Sequence, residues 1–201
     1  MSARQPTEAR QSEIIQAALT LSSRTSPALI TTAALAEALG LSQGAVFRHF
    51  PSKEAIWGAA MVWVREHLSA QLQAVARQHD DVVEALAAVF RAHVAFVQAH
   101  PGVPRLIFHE LQLPEDSPAK RAARALLQDY RALLLELLDR GIAAGRLAPG
   151  LDREAAATAF VGLIQGLVMQ TMLGGAPAAA AMPLAAERVL ALYRQMLEAA
   201  R

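Results

Sequence analysis

The sequence predicts an all-α protein. Three observations lead there. Hydrophobic residues make up 54% of the 201 residues while aromatics make up 5%, so the core is built from Leu, Ala, Val and Ile. Ala and Leu favour helices, and the β-branched and aromatic strand formers are sparse. No alternating run is long enough for a strand, whereas apolar residues recur at helical spacing along most of the chain.

The first helix is expected from about Thr7 to Arg24, with Ile14, Ile15, Ala18, Leu19 and Ser22 on one face, and Ser26-Pro27 ends it. A short second helix covers Thr32 to Leu39 and stops at Gly40. A third follows Ser42, a good N-cap, and runs to about His49. Ser52 caps a long fourth helix through Trp57, Trp63 and Leu72 to about Gln78. Asp81 and Glu84 stand three apart, as an N-cap and a reciprocal acceptor do, and open a fifth helix that ends near Ala99.

Pro101, Gly102 and Pro104 are expected to break the chain before a short helix through Leu106 to Leu111, and Pro114 to Pro118 to form a loop. A seventh helix extends from about Ala119 to Ala144, with Gly145 as its C-cap. Asp152 caps an eighth, ending near Leu173. Gly174 to Pro183 is Gly/Ala/Pro-rich and a candidate for disorder, and a ninth helix covers Leu184 to Ala199. About nine helices are therefore expected. They divide into residues 1–55, a three-helix head, and residues 56–201, a helical body.

Charge and composition exclude several functions. Residues 1–53 carry Arg4, Arg10, Arg24, Arg48 and Lys53 against Glu8, Glu13 and Glu37, net +2, on a chain of net charge +1. A mildly basic head is compatible with phosphate binding. Cysteine is absent, which removes disulfides, thiolate metal sites and Cys nucleophiles and fits a reducing cytoplasm. Met1 to Arg10 is polar and lacks the apolar region of a signal peptide. Ala155 to Ala186 contains no charged residue, long enough to span a bilayer. It carries Thr158, Gln165, Gln170 and Thr171, breaks at Gly174-Gly175 and has no flanking Lys/Arg cluster. A helix buried by a partner subunit accounts for it better.

The stretch Ile30 to Glu54, ITTAALAEALGLSQGAVFRHFPSKE, carries the most information. Two short helices packed nearly at right angles need a small residue at their contact, a turn tolerant of positive φ and an apolar pin on the second helix. Ala36, Gly40 and Val46 supply these at the spacing of a DNA-binding helix-turn-helix. Ordinary helical corners satisfy the same pattern.

The run LSQGAVFRHFPSKEA, following a helix that starts Thr-Thr, resembles the signature of the TetR (tetracycline-repressor) family. There, a Ser-capped recognition helix ends in aromatic–Arg/Trp–His–Phe and a Lys-containing turn leads into a long helix; here the residues are Phe47, Arg48, His49, Phe50, Ser52, Lys53 and Glu54. The helix ahead, EIIQAALTL, and some 150 residues of helices behind also fit the layout. The resemblance implies that Thr31 and Thr32 meet a phosphate. It implies that Gln43, Gly44 and Ala45 face base edges in the major groove, Gln43 suiting adenine and the Ala45 methyl a thymine methyl. His49 and Lys53 would bind backbone phosphates, and Arg48 phosphate or base. Position 47 is commonly Tyr in the family; with Phe47 the phenol's hydrogen bond to phosphate is missing and apolar contact remains. Phe47 is otherwise a core residue of the head, as Phe50 is expected to be.

The resemblance further implies a small-molecule pocket in helices four to seven and a homodimer formed through the last two helices. Trp63, Phe90, His93, Phe96, Arg105, Phe108, His109, Tyr130 and Met169 are the candidate pocket residues, each also readable as ordinary core. Phe160, Gly162, Ile164, Gly166, Leu167, Val189, Tyr193 and Met196 are the candidate dimer contacts. Apolar residues along the last helix and the turn-spaced Gly162 and Gly166 support that reading without the family. HPGVPRLIFHEL, His100 to Leu111, resembles a stretch of family members associated with efflux-transporter genes.

The expected function is therefore a cytoplasmic, DNA-binding transcription regulator. It is a repressor released from double-stranded operator DNA by a small-molecule inducer, with an efflux or detoxification gene as candidate target. No cofactor or membrane partner is expected. His93, His100 and His109 lack the spacing of a helical metal-ligand pair, so no metal site is expected. No phosphate loop, H-E-x-x-H or G-x-S-x-G marks an enzyme, and Glu115-Asp116 reads as solvated loop. The alternative is a helical ligand-binding or interaction protein without DNA binding, against which Arg48, His49 and Lys53 argue.

Overall fold

A computed structural model describes residues 7–199, and among them every regular element is a helix. The order is α1 (Thr7–Ser22), α2 (Thr32–Ala38), α3 (Gln43–Phe47), α4 (Lys53–Ala76), α5 (Val82–Ala99), α6 (Gly102–Gln112), α7 (Pro118–Ala143) and α8 (Arg153–Ala199). Arg4, counted in the charge of the head, lies outside the described residues.

The ends of these helices follow their capping residues. Ser42, Ser52 and Asp152 each accept a hydrogen bond from the backbone N–H three residues on, at 3.2, 3.2 and 3.0 Å, satisfying donors that have no partner inside the helix. Gly40 and Gly145 adopt φ of 63° and 66°. Around each, the next N–H bonds back to the carbonyl five residues earlier, Leu41 to Ala36 at 2.8 Å and Arg146 to Gly141 at 2.9 Å, which ends the helix with its carbonyls satisfied.

Two expectations are corrected and a third is narrowed. The Asp81 carboxylate caps α5, accepting from Val83 at 2.8 Å and Glu84 at 3.2 Å, but Glu84 does not return the bond. Its carboxylate accepts from Arg194 at 2.7 Å instead, the guanidinium being the stronger donor. The backbone hydrogen bond from Glu84 leads the influences that lower the Asp81 carboxyl below its ordinary value. The break expected at Pro101, Gly102 and Pro104 is confined to His100 and Pro101, between the end of α5 at Ala99 and the start of α6 at Gly102; Pro104 stands in the first turn of α6, where a missing N–H costs nothing. Gly174 to Pro183 is helical rather than disordered. The break narrows to Gly175, at φ 63° and ψ −150°, and α8 consists of two limbs joined there. Pro177 falls in the first turn of the second limb and the alanines around it carry strong helix propensity.

The chain divides into two compact units, one taking residues up to His67 with His100–Leu126, the other taking Leu68–Ala99 with the chain from Leu127 onward. In the first, α1, α2 and α3 surround Ile14, Ala18, Leu35, Ala36, Val46 and Phe50, and α6 packs on α1. Gly102 makes that last contact possible, because a Cβ there would lie 1.9 Å from the Leu19 carbonyl oxygen.

In the second unit α5 packs along α8. Phe160 is the hub of an aromatic cluster, edge-on to Phe90 and Tyr193 at 5.3 Å each and to Tyr130 at 6.2 Å. Around it α8 contributes Ala156, Ile164 and Leu167 from its first limb and Met182, Ala186, Leu190, Tyr193 and Leu197 from its second, all buried at helical spacing. Ion pairs Arg91–Glu187 at 2.7 Å and Arg194–Glu84 at 2.7 Å fasten α5 to the second limb. Both α5 and α8 are long and apolar enough to cross a membrane by length and composition. For α5 the core explains the apolarity, since Val82, Leu86, Val89, Phe90, Val94 and Phe96 are buried.

Candidate nucleic-acid interface

The head presents α3 as a five-residue helix held from behind. Val46 is fully buried against α2 and Phe50 nearly so, which fixes the rotation of α3 and turns Gln43, Gly44, Phe47 and Arg48 outward. Phe50 is thus core, as expected. Phe47 is not: it is 46% exposed.

Thr31 is the N-cap of α2, its hydroxyl accepting from the Ala34 N–H at 3.1 Å. Thr32, the first residue of α2, accepts from the Gln43 side-chain amide at 2.8 Å. Since an amide nitrogen carries two hydrogens, Gln43 keeps one N–H and its carbonyl oxygen, the donor–acceptor pair that matches adenine. Gly44 has open space where a Cβ would stand. Ala45 is half-buried and Arg48 exposed.

His49 is half-buried, its Nδ1 lies buried without a hydrogen-bond partner, and its carbonyl accepts from Gln11 at 3.3 Å. Lys53 donates to the Ala28 carbonyl at 3.0 Å, which anchors the turn before α2 and leaves two ammonium hydrogens. Two contributors escape sequence reasoning, Gln11 and the Ala28 carbonyl. A backbone acceptor has no sequence signature, and Gln11 reads as one more polar residue of a helix.

The candidate ligand residues separate. In the second unit His93 Nδ1 lies 3.1 Å from the Tyr130 hydroxyl, with Phe90 in the same cluster through Phe160, and Phe96 is buried. Burial pulls the His93 imidazole down to about 4 and pushes the Tyr130 phenol up, so both are neutral at pH 7. In the first unit Trp63 stacks on His67 at 4.1 Å and meets the edge of His100 at 5.2 Å, while Phe108 and His109 are half-buried. Burial first, and His67 second, lower the His100 imidazole. Arg105 and Met169 are exposed, Met169 on the face of α8 turned away from the aromatic cluster. An open groove of about 510 Å³ runs along α1, lined by Ser12, Gln16, Thr20, Ala38 and Leu39 among others, and none of the candidate ligand residues borders it. Among the described residues no three His, Cys, Asp or Glu side chains converge as a metal site would require.

The candidate dimer contacts separate likewise. Phe160, Ile164, Leu167 and Tyr193 are buried within their own unit, and the Tyr193 hydroxyl donates to the Ala156 carbonyl at 3.1 Å. These four are core, a correction that follows from the aromatic cluster. Val189 is half-buried. Gly162, Gly166 and Met196 face outward, and with Met169 and Leu173 the residues 162, 166, 169 and 173 form a solvent-facing stripe.

Two family models match the chain, Bacterial regulatory proteins, tetR family, over residues 14–60, and Tetracyclin repressor-like, C-terminal domain, over residues 114–198. A nucleoid occlusion factor, SlmA, from Vibrio vulnificus (strain YJ016) is 27% identical over 159 residues, covering 78% of this chain and 81% of that protein. Among solved structures, the TetR family transcriptional regulator PfmR from Thermus thermophilus has a TM-score of 0.75 at 22% identity, covering 92% of this chain and 97% of its own. The transcriptional regulator FadR from Bacillus subtilis in complex with stearoyl-CoA has a TM-score of 0.72 at 19% identity, covering 89% and 97%. Between them the two models take in both ends of the helical chain, including the helix-turn-helix and the paired limbs of α8, and the chain belongs to the TetR family.

Proposed function

We propose that this protein is a homodimeric, cytoplasmic transcription repressor that leaves its operator when a small molecule binds. One observation carries the reading: a short capped helix pinned by Val46 and Phe50 turns Gln43, Phe47 and Arg48 outward together, with Lys53 beside the turn that precedes α2. The head of residues 1–55 is the DNA reader and the remainder the ligand-binding and dimerising part. Dimerisation is assigned to the stripe Gly162, Gly166, Met169 and Leu173 of α8, with Leu192 and Met196 of its second limb. His93 and Tyr130 are the polar groups assigned to the ligand, and both being neutral suits an uncharged hydrogen-bonding group on a largely apolar molecule. The ligand is bound and not converted. The segment His100 to Leu111 makes an efflux or detoxification gene the candidate target.

Selection of duplexes from a random-sequence library tests the reading. A dimer reading two half-sites should enrich a palindrome with centres about 10 base pairs, or a multiple, apart. Lys53→Ala should weaken binding to every duplex and reduce the salt-dependence slope by about one. Absence of enrichment would leave a helical ligand-binding or interaction protein.

The SlmA relatives favour a second reading, a DNA-binding factor that acts in nucleoid occlusion. Occupancy mapping separates the two: one or a few promoters for the repressor, dispersed sites for the occlusion factor.

A further inference from the structure

We infer that the recognition surface of this protein selects its site through the C5 methyl groups of thymine, with Phe47 as the reader. The inference rests on the DNA-binding reading above and specifies its chemistry.

The outward face of α3 is unusual in what it lacks. Between the Gln43 amide and the Arg48 guanidinium the chain offers Gly44, Ala45, Val46 and Phe47, none with a polar side-chain atom. Val46 is fully buried. Gly44 and Phe47 are three residues apart and Gln43 and Phe47 four apart, so all three share one face of the helix. Above Gly44 there is open space. Phe47 stands next to it with nearly half of its surface exposed. Gln43 is steadied from the side by Thr32 at 2.8 Å, so the amide does not fold over the ring.

A phenylalanine ring has no hydrogen bond to give a phosphate or a base. What it offers is apolar area that gains free energy on leaving water. The edges of base pairs in the major groove present donors, acceptors and one apolar group, the thymine methyl. The absent side chain of Gly44 leaves room for a base edge to approach the helix beside the ring. A ring in this position therefore distinguishes T·A from the other pairs at one step, while Gln43 addresses a neighbouring adenine and Lys53 the backbone.

The test uses the full-length protein and the duplex that emerges from the library selection. Each thymine of the half-site is replaced in turn by uracil, which removes the methyl and leaves every hydrogen-bonding group in place. At one thymine or more, affinity should fall about fourfold, the effect of one buried methyl-sized group. Phe47→Ala should bind the thymine and uracil duplexes equally at that position, with an unchanged salt slope. Phe47→Tyr, which keeps the ring, should retain the discrimination. Cytosine at the same position should recover affinity when methylated at C5. Binding that is indifferent to uracil at every thymine would overturn the inference and leave DNA recognition intact. Discrimination that persists unchanged in Phe47→Ala would assign the methyl contact to another residue and overturn the role of Phe47. Failure of any duplex to enrich would overturn the DNA-binding reading and this inference with it.

Discussion

The Gln43 side-chain amide donates to the Thr32 hydroxyl at 2.8 Å, tying the first residue of α3 to the first residue of α2. The bond makes Thr32 a positioning residue. Gln43→Ala should change which base is preferred at its position by about 1–3 kcal/mol. Thr32→Val keeps the shape and removes the tie, so it should blur the same preference by less and lower stability by under about 1 kcal/mol, the bond being exposed. Titration of operator variants at one salt concentration measures both. An unchanged ranking in Gln43→Ala would remove that residue from base readout.

Gly102 and Gly44 predict opposite outcomes for the same substitution. A Cβ at Gly102 would lie 1.9 Å from the Leu19 carbonyl oxygen and 3.0 Å from its carbon, both backbone atoms that cannot swing away. Gly102→Ala should cost about 1–3 kcal/mol or more as α6 is pushed off α1. Gly44→Ala meets nothing within 4 Å and should be neutral or stabilise by about 0.4–1 kcal/mol through the unfolded chain. Urea unfolding of the two variants decides it.

The contrast shows what is legible in the sequence. Gly40, Ser42, Ser52, Asp152 and Gly145 act through bonds to residues within a few positions, so their roles can be read directly. Ala36 and Val46 belong to a corner whose spacing is itself the signal. Gly102 looks like a helix breaker, because nothing local reveals that Leu19 lies against it. The assignment of faces on α8 is hidden for the same reason. Phe160 and Leu173 are both apolar residues on an apolar helix, and only the packing of α5 decides that one is core and the other exposed. Pro177 and Pro183 suggest a disordered connector, but alanine propensity carries the helix through and confines the break to Gly175.

His93 predicts a pH dependence of stability. Burial lowers its folded-state value to about 4 from an ordinary 6.5. The unfolded chain therefore takes up the proton more readily. The stabilisation is complete above about pH 6.5 and is lost as pH falls toward 4, by up to about 3 kcal/mol at ~1.4 kcal/mol per pH unit. His93→Gln removes the titrating group, so unfolding free energies of the variant should fall less between pH 7 and pH 4.5 than those of the wild type. Equal losses in the two proteins would mean that His93 protonates without cost.

Phe160 and Leu173 separate folding from association. Phe160 is fully buried against Phe90, Tyr130 and Tyr193, so Phe160→Ala should cost about 3–5 kcal/mol by opening a cavity inside the unit. Leu173 is 78% exposed and stands on the stripe with Gly162, Gly166 and Met169. Its removal leaves no cavity, so Leu173→Glu should unfold at the urea concentration of an unassociated wild type. In the dimer the same carboxylate would be buried against apolar residues of the second copy without a partner, which costs several kcal/mol and dissociates the pair. Sedimentation velocity should find Leu173→Glu monomeric at concentrations where the wild type is a dimer. A Leu173→Glu protein that still sediments as a dimer would move the interface off this stripe, whereas a monomer that melts with the wild-type midpoint after correction for association would place Leu173 at the contact and outside the fold.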